Sequence, residues 1–87
     1  MELRWSPKAI EDLNYWKKND VTKVKRIKKL IENIMETPYE GIGKPEPLKF
    51  QWSGYWSRRI NSEHRLIYKY TDQYIEIAAC RFHYNKD

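Results

Sequence analysis

The sequence predicts an α+β domain, in which a short N-terminal strand and two helices pack on a twisted antiparallel sheet. Three observations predict it. Apolar residues recur at helical spacing only between Pro7 and Glu36, Pro38 to Pro47 breaks the pattern, and short strand-like runs joined by three-residue connections fill the rest. At 87 residues the chain suits one domain spanning 1–87, because so short a chain has little core to divide.

Glu2 to Trp5 is the first strand candidate. Ser6 can cap a helix that begins at Pro7, where proline's missing N–H costs nothing. That helix should run to about Lys18, with Ile10, Leu13 and Trp16 recurring at threes and Ala9 and Tyr15 beside them. Asn19-Asp20 interrupts it. A second helix should span Val21 to Glu36, with Val24, Ile27, Ile31 and Ile34 on one stripe, widened by Leu30 and Met35. Thr37-Pro38 should end it, because a residue before proline disfavours helical geometry.

Pro38 to Pro47 holds three of the four prolines and two of the three glycines and reads as a shaped loop. Strands are expected at about Leu48–Gln51, Tyr55–Asn61, His64–Tyr70 and Tyr74–Arg81, joined as antiparallel hairpins. Parity puts Leu66, Tyr68 and Tyr70 on one face and Arg65, Ile67 and Lys69 on the other, with Arg59 able to share the side of Arg65. On the last strand Ile75, Ile77 and Ala79 share parity with Arg81 and His83, whereas Cys80 and Phe82 fall on the other side. Either a bulge intervenes or that strand is buried on both faces.

Composition restricts the function classes. A mean hydropathy of -0.96 with 33% charged residues excludes an apolar membrane span, and Met1 to Trp5 has no secretory pattern, so a cytoplasmic protein is expected. Cys80 has no partner for a disulfide, and with only His64 and His83 as imidazoles a metal site lacks ligands, so neither metal nor other cofactor is expected. A net charge of +5 favours a polyanion or an acidic protein as partner.

Several residues suit metal-free RNA cleavage, which needs a base for the 2'-hydroxyl, cations for the phosphate and an acid for the leaving 5'-oxygen. The half of the chain expected to be a sheet supplies a carboxylate at Glu46, several arginines and a histidine. Each has an ordinary reading too. Arg58, Arg59, Arg65 and Arg81 suit surface ion pairs with Glu40, Glu63 and Asp72; His64 suits a hairpin position near solvent; Trp5, Trp16 and Trp56 suit the core. The lysines and arginine from Lys17 to Lys29 suit a solvated helical face or a contact with ribosomal RNA. Tyr84, beside His83, could stack on a splayed base.

The motifs Gly43-Lys44-Pro45-Glu46-Pro47-Leu48-Lys49, Trp56-Ser57-Arg58-Arg59-Ile60, Glu63-His64-Arg65-Leu66-Ile67-Tyr68 and Cys80-Arg81-Phe82-His83-Tyr84 resemble the YoeB toxins of the RelE superfamily. Over nearly the whole chain, the resemblance implies a RelE-like, microbial RNase-like fold and a ribosome-dependent endoribonuclease of a type II toxin-antitoxin system. It implies messenger RNA in the ribosomal A site as substrate and products with a 2',3'-cyclic phosphate and a 5'-hydroxyl. By the same resemblance Glu46, Arg65, His83 and Tyr84 form the active site. Lys49 and Arg59 assist, and Lys44, Arg58 and Arg81 are further candidates for the RNA backbone. Expected partners are the ribosome with its messenger RNA and an acidic, YefM-like antitoxin on the basic sheet face; relatives of this kind commonly dimerise, so a homodimer is an assembly the resemblance allows. Phe82 departs from the family, where a tyrosine commonly precedes the His-Tyr pair, and Asn85-Lys86-Asp87 extends past it. From the residues alone, a non-catalytic module that blocks translation by occupying RNA is the competing reading.

Overall fold

The computed structural model describes residues 1–82. Strand β1 (Glu2–Trp5) is followed by helices α1 (Pro7–Asn19) and α2 (Val21–Glu36), then β2 (Glu46–Pro47), a 3-10 turn at Phe50–Trp52, β3 (Trp56–Arg59), β4 (Arg65–Tyr70) and β5 (Tyr74–Ala79). The five strands lie in the order β1-β5-β4-β3-β2, antiparallel throughout except that β1 runs parallel to β5. The sheet is therefore mostly antiparallel. A parallel edge follows from the chain's course, because α1 and α2 intervene between β1 and the hairpins.

Local chemistry sets the helix boundaries. Ser6 Oγ accepts the N–H of Ala9 at 3.0 Å, with Pro7 in the first helical position. Asp20 closes α1 through its N–H to Trp16 O, and its side chain accepts the N–H of Thr22 at the start of α2. One residue thus separates the helices. The hydroxyl of Thr22, then the ammonium of Lys23, hold the Asp20 carboxyl down to about 2.

The core lies between the helices and one face of the sheet. Ile27, Leu30, Ile31 and Ile34 of α2 meet Leu66, Tyr68, Ile75 and Ile77, with Trp16 and Ala9 of α1 and Cys80 at the far side. Burying each large aliphatic side chain stabilises the fold by about 1.5–3 kcal/mol. Trp5 and Trp56 are half-buried against this cluster, as expected of core tryptophans. On α1 Trp16 and Ala9 are buried and Leu13 packs against the core, as predicted, but Asp12 is buried as well and Ile10 is exposed, as is Met35 on α2.

Of the two alternatives for the last strand, the bulge is present. Ile67 pairs with Ala79 and Tyr68 with Ile77, leaving Ala78 as the extra residue of β5. It resets the alternation, so Ile75, Ile77 and then Cys80 all face the helices. Ser6 fixes the bulge by donating its hydroxyl to Ala78 O at 2.8 Å. The strand expected at Leu48–Gln51 is not formed. The edge pairing occurs earlier, Glu46 with Ser57 and Pro47 with Trp56, and Phe50 then takes a left-handed φ of 58° that turns the chain into the 3-10 segment. Pro47 is tolerated because β2 is the sheet's edge.

Candidate active site

Adjacent residues of β3 go to opposite faces. Arg58 points into the molecule with Trp56 and Ile60, and it is fully buried. Its five N–H bonds are matched by five contacts: Nε to Tyr68 Oη (3.1 Å), Nη1 to Asn33 Oδ1 (2.5 Å) and Ile42 O (3.1 Å), Nη2 to Thr37 O (2.6 Å) and Glu40 O (2.9 Å). No carboxylate among the described residues pairs with it. Arg58 therefore holds the 37–42 loop against α2 and is removed from the RNA-binding candidates: a guanidinium with every donor used inside the protein cannot contact a phosphate.

That loop delivers Glu46. Tyr68 Oη donates to Pro38 O at 2.6 Å, Asn33 Oδ1 accepts the N–H of Ile42, and Gly43 O accepts the N–H of Arg59 at 2.6 Å. Gly43 has φ 82°, and a Cβ there would stand 2.8 Å from Leu30 Cδ2 and 3.1 Å from Arg58 Cβ. Only glycine fits so close an approach. With the loop pinned, the chain enters β2 and Glu46 lies across from Ser57 on the face turned away from the helices.

Arg59 and Arg65 share that face and are direct cross-strand partners. Opposed residues have Cβ atoms about 4.5–5.5 Å apart, where like charges repel. Burial first, and the charge of Arg59 second, press the Arg65 guanidinium below its ordinary pKa, while the Glu46 carboxylate pushes it back up. Those opposing influences put three charged side chains within electrostatic reach. Arg65 Nη1 donates to Asn61 O at 2.9 Å and more weakly to Ser62 O and His64 O. Its Nε and Nη2, like the whole guanidinium of exposed Arg59, have no partner among the described residues. Asn61 in turn shapes the hairpin by accepting the N–H groups of Glu63 and His64 on Oδ1. Two arginines with donors unused among the described residues, beside one carboxylate, can bind a phosphodiester and deprotonate a neighbouring hydroxyl.

The other candidates sort as follows. Lys44 and Lys49 are exposed on either side of Glu46, Lys44 in the loop at φ 53° and Lys49 capping the 3-10 turn. Arg81 is not with them: its Cζ sits 3.4 Å from the centroid of the Tyr15 ring on α1 and 4.5 Å from that of Phe82. No ion pair joins Arg58, Arg59, Arg65 or Arg81 to Glu40, Glu63 or Asp72 among the described residues. His83 and Tyr84 lie outside the described residues, as does the extension 85–87. His64 is buried, not near solvent. Its ring meets Trp16 edge-on at 4.8 Å, and Nδ1 accepts the N–H of Phe82 at 2.7 Å. Two residues that frame the site, Asn33 and Tyr68, were missed from sequence, and Arg58 was picked out for the wrong face. Parity with Trp56 and Ile60 could have marked Arg58 as inward-facing.

Among the described residues no group of three or more His, Cys, Asp or Glu could hold a metal ion, and no helix is long and apolar enough to cross a membrane.

Comparison with known proteins gives a concordant result. Residues 5–84 match the family model of the YoeB-like toxin of bacterial type II toxin-antitoxin systems. Toxin YoeB of Escherichia coli strain K12 is 54% identical over 84 residues, covering 97% of this chain and 100% of that protein. Among solved structures, the YoeB dimer from Staphylococcus aureus superposes with a TM-score of 0.91 at 48% identity, covering 97% of this chain and 98% of that one. The heterotetrameric YoeB-YefM toxin-antitoxin complex of the same organism gives 0.89 at 48% identity, with the same coverage.

Proposed function

The chain belongs to the YoeB-like toxins of bacterial type II toxin-antitoxin systems, and from that premise we propose that it is a ribosome-dependent endoribonuclease that cuts messenger RNA in the A site by metal-free acid-base chemistry. The observation that carries this reading is the convergence of Glu46, Arg59 and Arg65 on one open sheet face, with donors of both arginines unused among the described residues. Glu46 accepts the proton of the ribose 2'-hydroxyl as that oxygen attacks the adjacent phosphorus. Arg65 neutralises the charge growing on the phosphorane, aided by Arg59 and by Lys49, with Lys44 on the RNA backbone. His83 protonates the departing 5'-oxygen, and Tyr84 stacks on a base; an imidazole with an ordinary pKa near 6.5 is about a quarter protonated at pH 7. The products carry a 2',3'-cyclic phosphate and a 5'-hydroxyl.

The ribosome supplies the ordering of the RNA, which places the toxin in the cytoplasm. The exposed Lys25, Lys28 and Lys29 on α2, beside Arg26, suit ribosomal RNA. An acidic YefM-like antitoxin neutralises the toxin by covering the basic sheet face, and two toxin chains associate as in the Staphylococcus aureus dimer. Primer extension on a translated message, with and without the purified chain, tests the reading. Discrete cuts that persist in EDTA with intact ribosomes are expected. Blocked translation without cuts would favour RNA occupation through the basic α2 face instead, and a 5'-phosphate end would exclude the proposed chemistry.

A further inference from the structure

Cys80, Arg81 and Phe82 follow the last strand, and the backbone N–H and C=O groups of both Cys80 and Phe82 are hydrogen-bonded, three of the four by side chains. The N–H of Cys80 donates to the buried carboxylate of Asp12 at 3.0 Å, and Cys80 O accepts from Trp16 Nε1 at 2.8 Å. Asp12 is itself held by Lys8 Nζ at 2.6 Å. The N–H of Phe82 donates to His64 Nδ1 at 2.7 Å, and its carbonyl accepts the N–H of Arg65 at 2.9 Å. Phe82 has φ 65°, a left-handed conformation uncommon for a bulky residue and maintained only where its surroundings impose it.

The two bonds to Phe82 come from neighbouring residues with different reach, His64 just before β4 and Arg65 at its start. Arg65 sends its amide to the Phe82 carbonyl and its guanidinium to the open face. That same carbonyl carbon is bonded to the nitrogen of His83. Arg65 is thus tied through one hydrogen bond to the residue that precedes His83 in the chain. Its partner bond, to His64, requires a lone pair on Nδ1, so the imidazole is held neutral with its proton on Nε2, the nitrogen 3.7 Å from Glu63 Oε1.

We propose that His64 is a positioning residue for the reaction: by accepting the Phe82 N–H it imposes the left-handed turn at Phe82, the residue whose carbonyl is held by Arg65 and bonded to His83, and so acts on the general acid through the backbone. The claim rests on the reading of His83 as the proton donor. Misplacement of a reacting group by about 1 Å can cost as much as 10²-fold in rate, and no other side chain among the described residues accepts the Phe82 N–H.

The test compares His64→Leu, which keeps bulk and loses the acceptor, with His64→Asn, whose Oδ1 can stand where Nδ1 stands. Single-turnover cleavage of ribosome-bound message should fall roughly 10-fold or more in His64→Leu and recover to within about threefold of native in His64→Asn. Ribosome affinity should be unchanged in both. Two readouts need no activity: 15N shifts of native His64 should report an unprotonated Nδ1, and the Phe82 amide should lose its exchange protection in His64→Leu. If His64→Leu folds and cleaves at the native rate, or if native Nδ1 carries the proton, the proposal is overturned. If the native chain does not cut RNA at all, the functional reading above fails, and Phe82 protection alone then decides whether His64 imposes the turn.

Discussion

Arg58 and Arg59 are neighbours in sequence and opposites in environment. Arg58 faces the helices, fully buried, and all five of its donors are spent on the protein. Arg59 faces outward, across from Arg65, and its guanidinium has no partner among the described residues. The pleat of a single strand thus divides two identical side chains into a structural cation and a site cation. A buried charge is tolerated when dipoles surround it; an exposed like-charged pair remains poised for an anion. One sheet face carries stability and the other carries the proposed chemistry, so substitutions on the two faces should separate cleanly.

The largest effect should come from Arg58→Ala. It leaves Asn33 Oδ1, the Tyr68 hydroxyl and three loop carbonyls short of donors, at about 1–3 kcal/mol for a buried group left unsatisfied. A total loss of roughly 3–5 kcal/mol is expected by urea denaturation, with activity lost through unfolding. Arg58→Lys should rescue little, because an ammonium offers three donors in a different geometry. A melt within about 0.5 kcal/mol of native would break the division between the faces.

Arg65→Ala should do the reverse. Single-turnover cleavage should slow by about 10²-fold or more, the cost of removing a transition-state charge partner, while the melting temperature changes little. Arg59→Ala should be milder in rate and equally silent in stability. A third substitution lies where the faces meet: Gly43→Ala sets a Cβ against Leu30 and Arg58 at positive φ, and should destabilise by roughly 1–3 kcal/mol while disturbing delivery of Glu46. Loss of rate beyond the loss of folded protein would sharpen the link between the two regions.

The smallest effect concerns Cys80. Burial, then the nearby Asp12 carboxylate, pushes its thiol up to about 12 from an ordinary value of 9.0. A group whose pKa is raised by folding favours the folded state below the unfolded value, so this contribution is intact below about pH 9 and declines as pH rises towards 12. Thermal melts of native and Cys80→Ala protein should therefore converge across that window. Iodoacetamide at pH 8 should label Cys80 only after denaturation.

Much of this division was legible in the residues. The cap at Ser6, the break at Asn19-Asp20, the α2 stripe and the alternation along His64 to Tyr70 are local signals, and local geometry honours them. Others depend on tertiary context. On α1 Asp12 is buried to receive the Cys80 N–H, a core carboxylate that residue type does not announce, while Ile10 is left exposed. Leu48 to Gln51 fails as a strand because the positive φ of Phe50 turns the edge away. Arg58 and His64 are polar by type and core by contact; residue type pointed outward, whereas parity with Trp56 and the fold of Phe82 over β4 bring them in. Glu46, Arg59 and Arg65 could be grouped from sequence only in part. Parity joined the two arginines, but the tie to Glu46 came from the family motif and depends on a loop whose path is set by Arg58.

The most direct measurement is single-turnover cleavage of ribosome-bound messenger RNA by native protein and by Glu46→Gln, with thermal melts on the same preparations. The account predicts matched melts, equal ribosome binding and a rate reduced by about 10²-fold or more in Glu46→Gln. Equal cleavage rates in two equally folded proteins would contradict the assignment of general-base chemistry to this face.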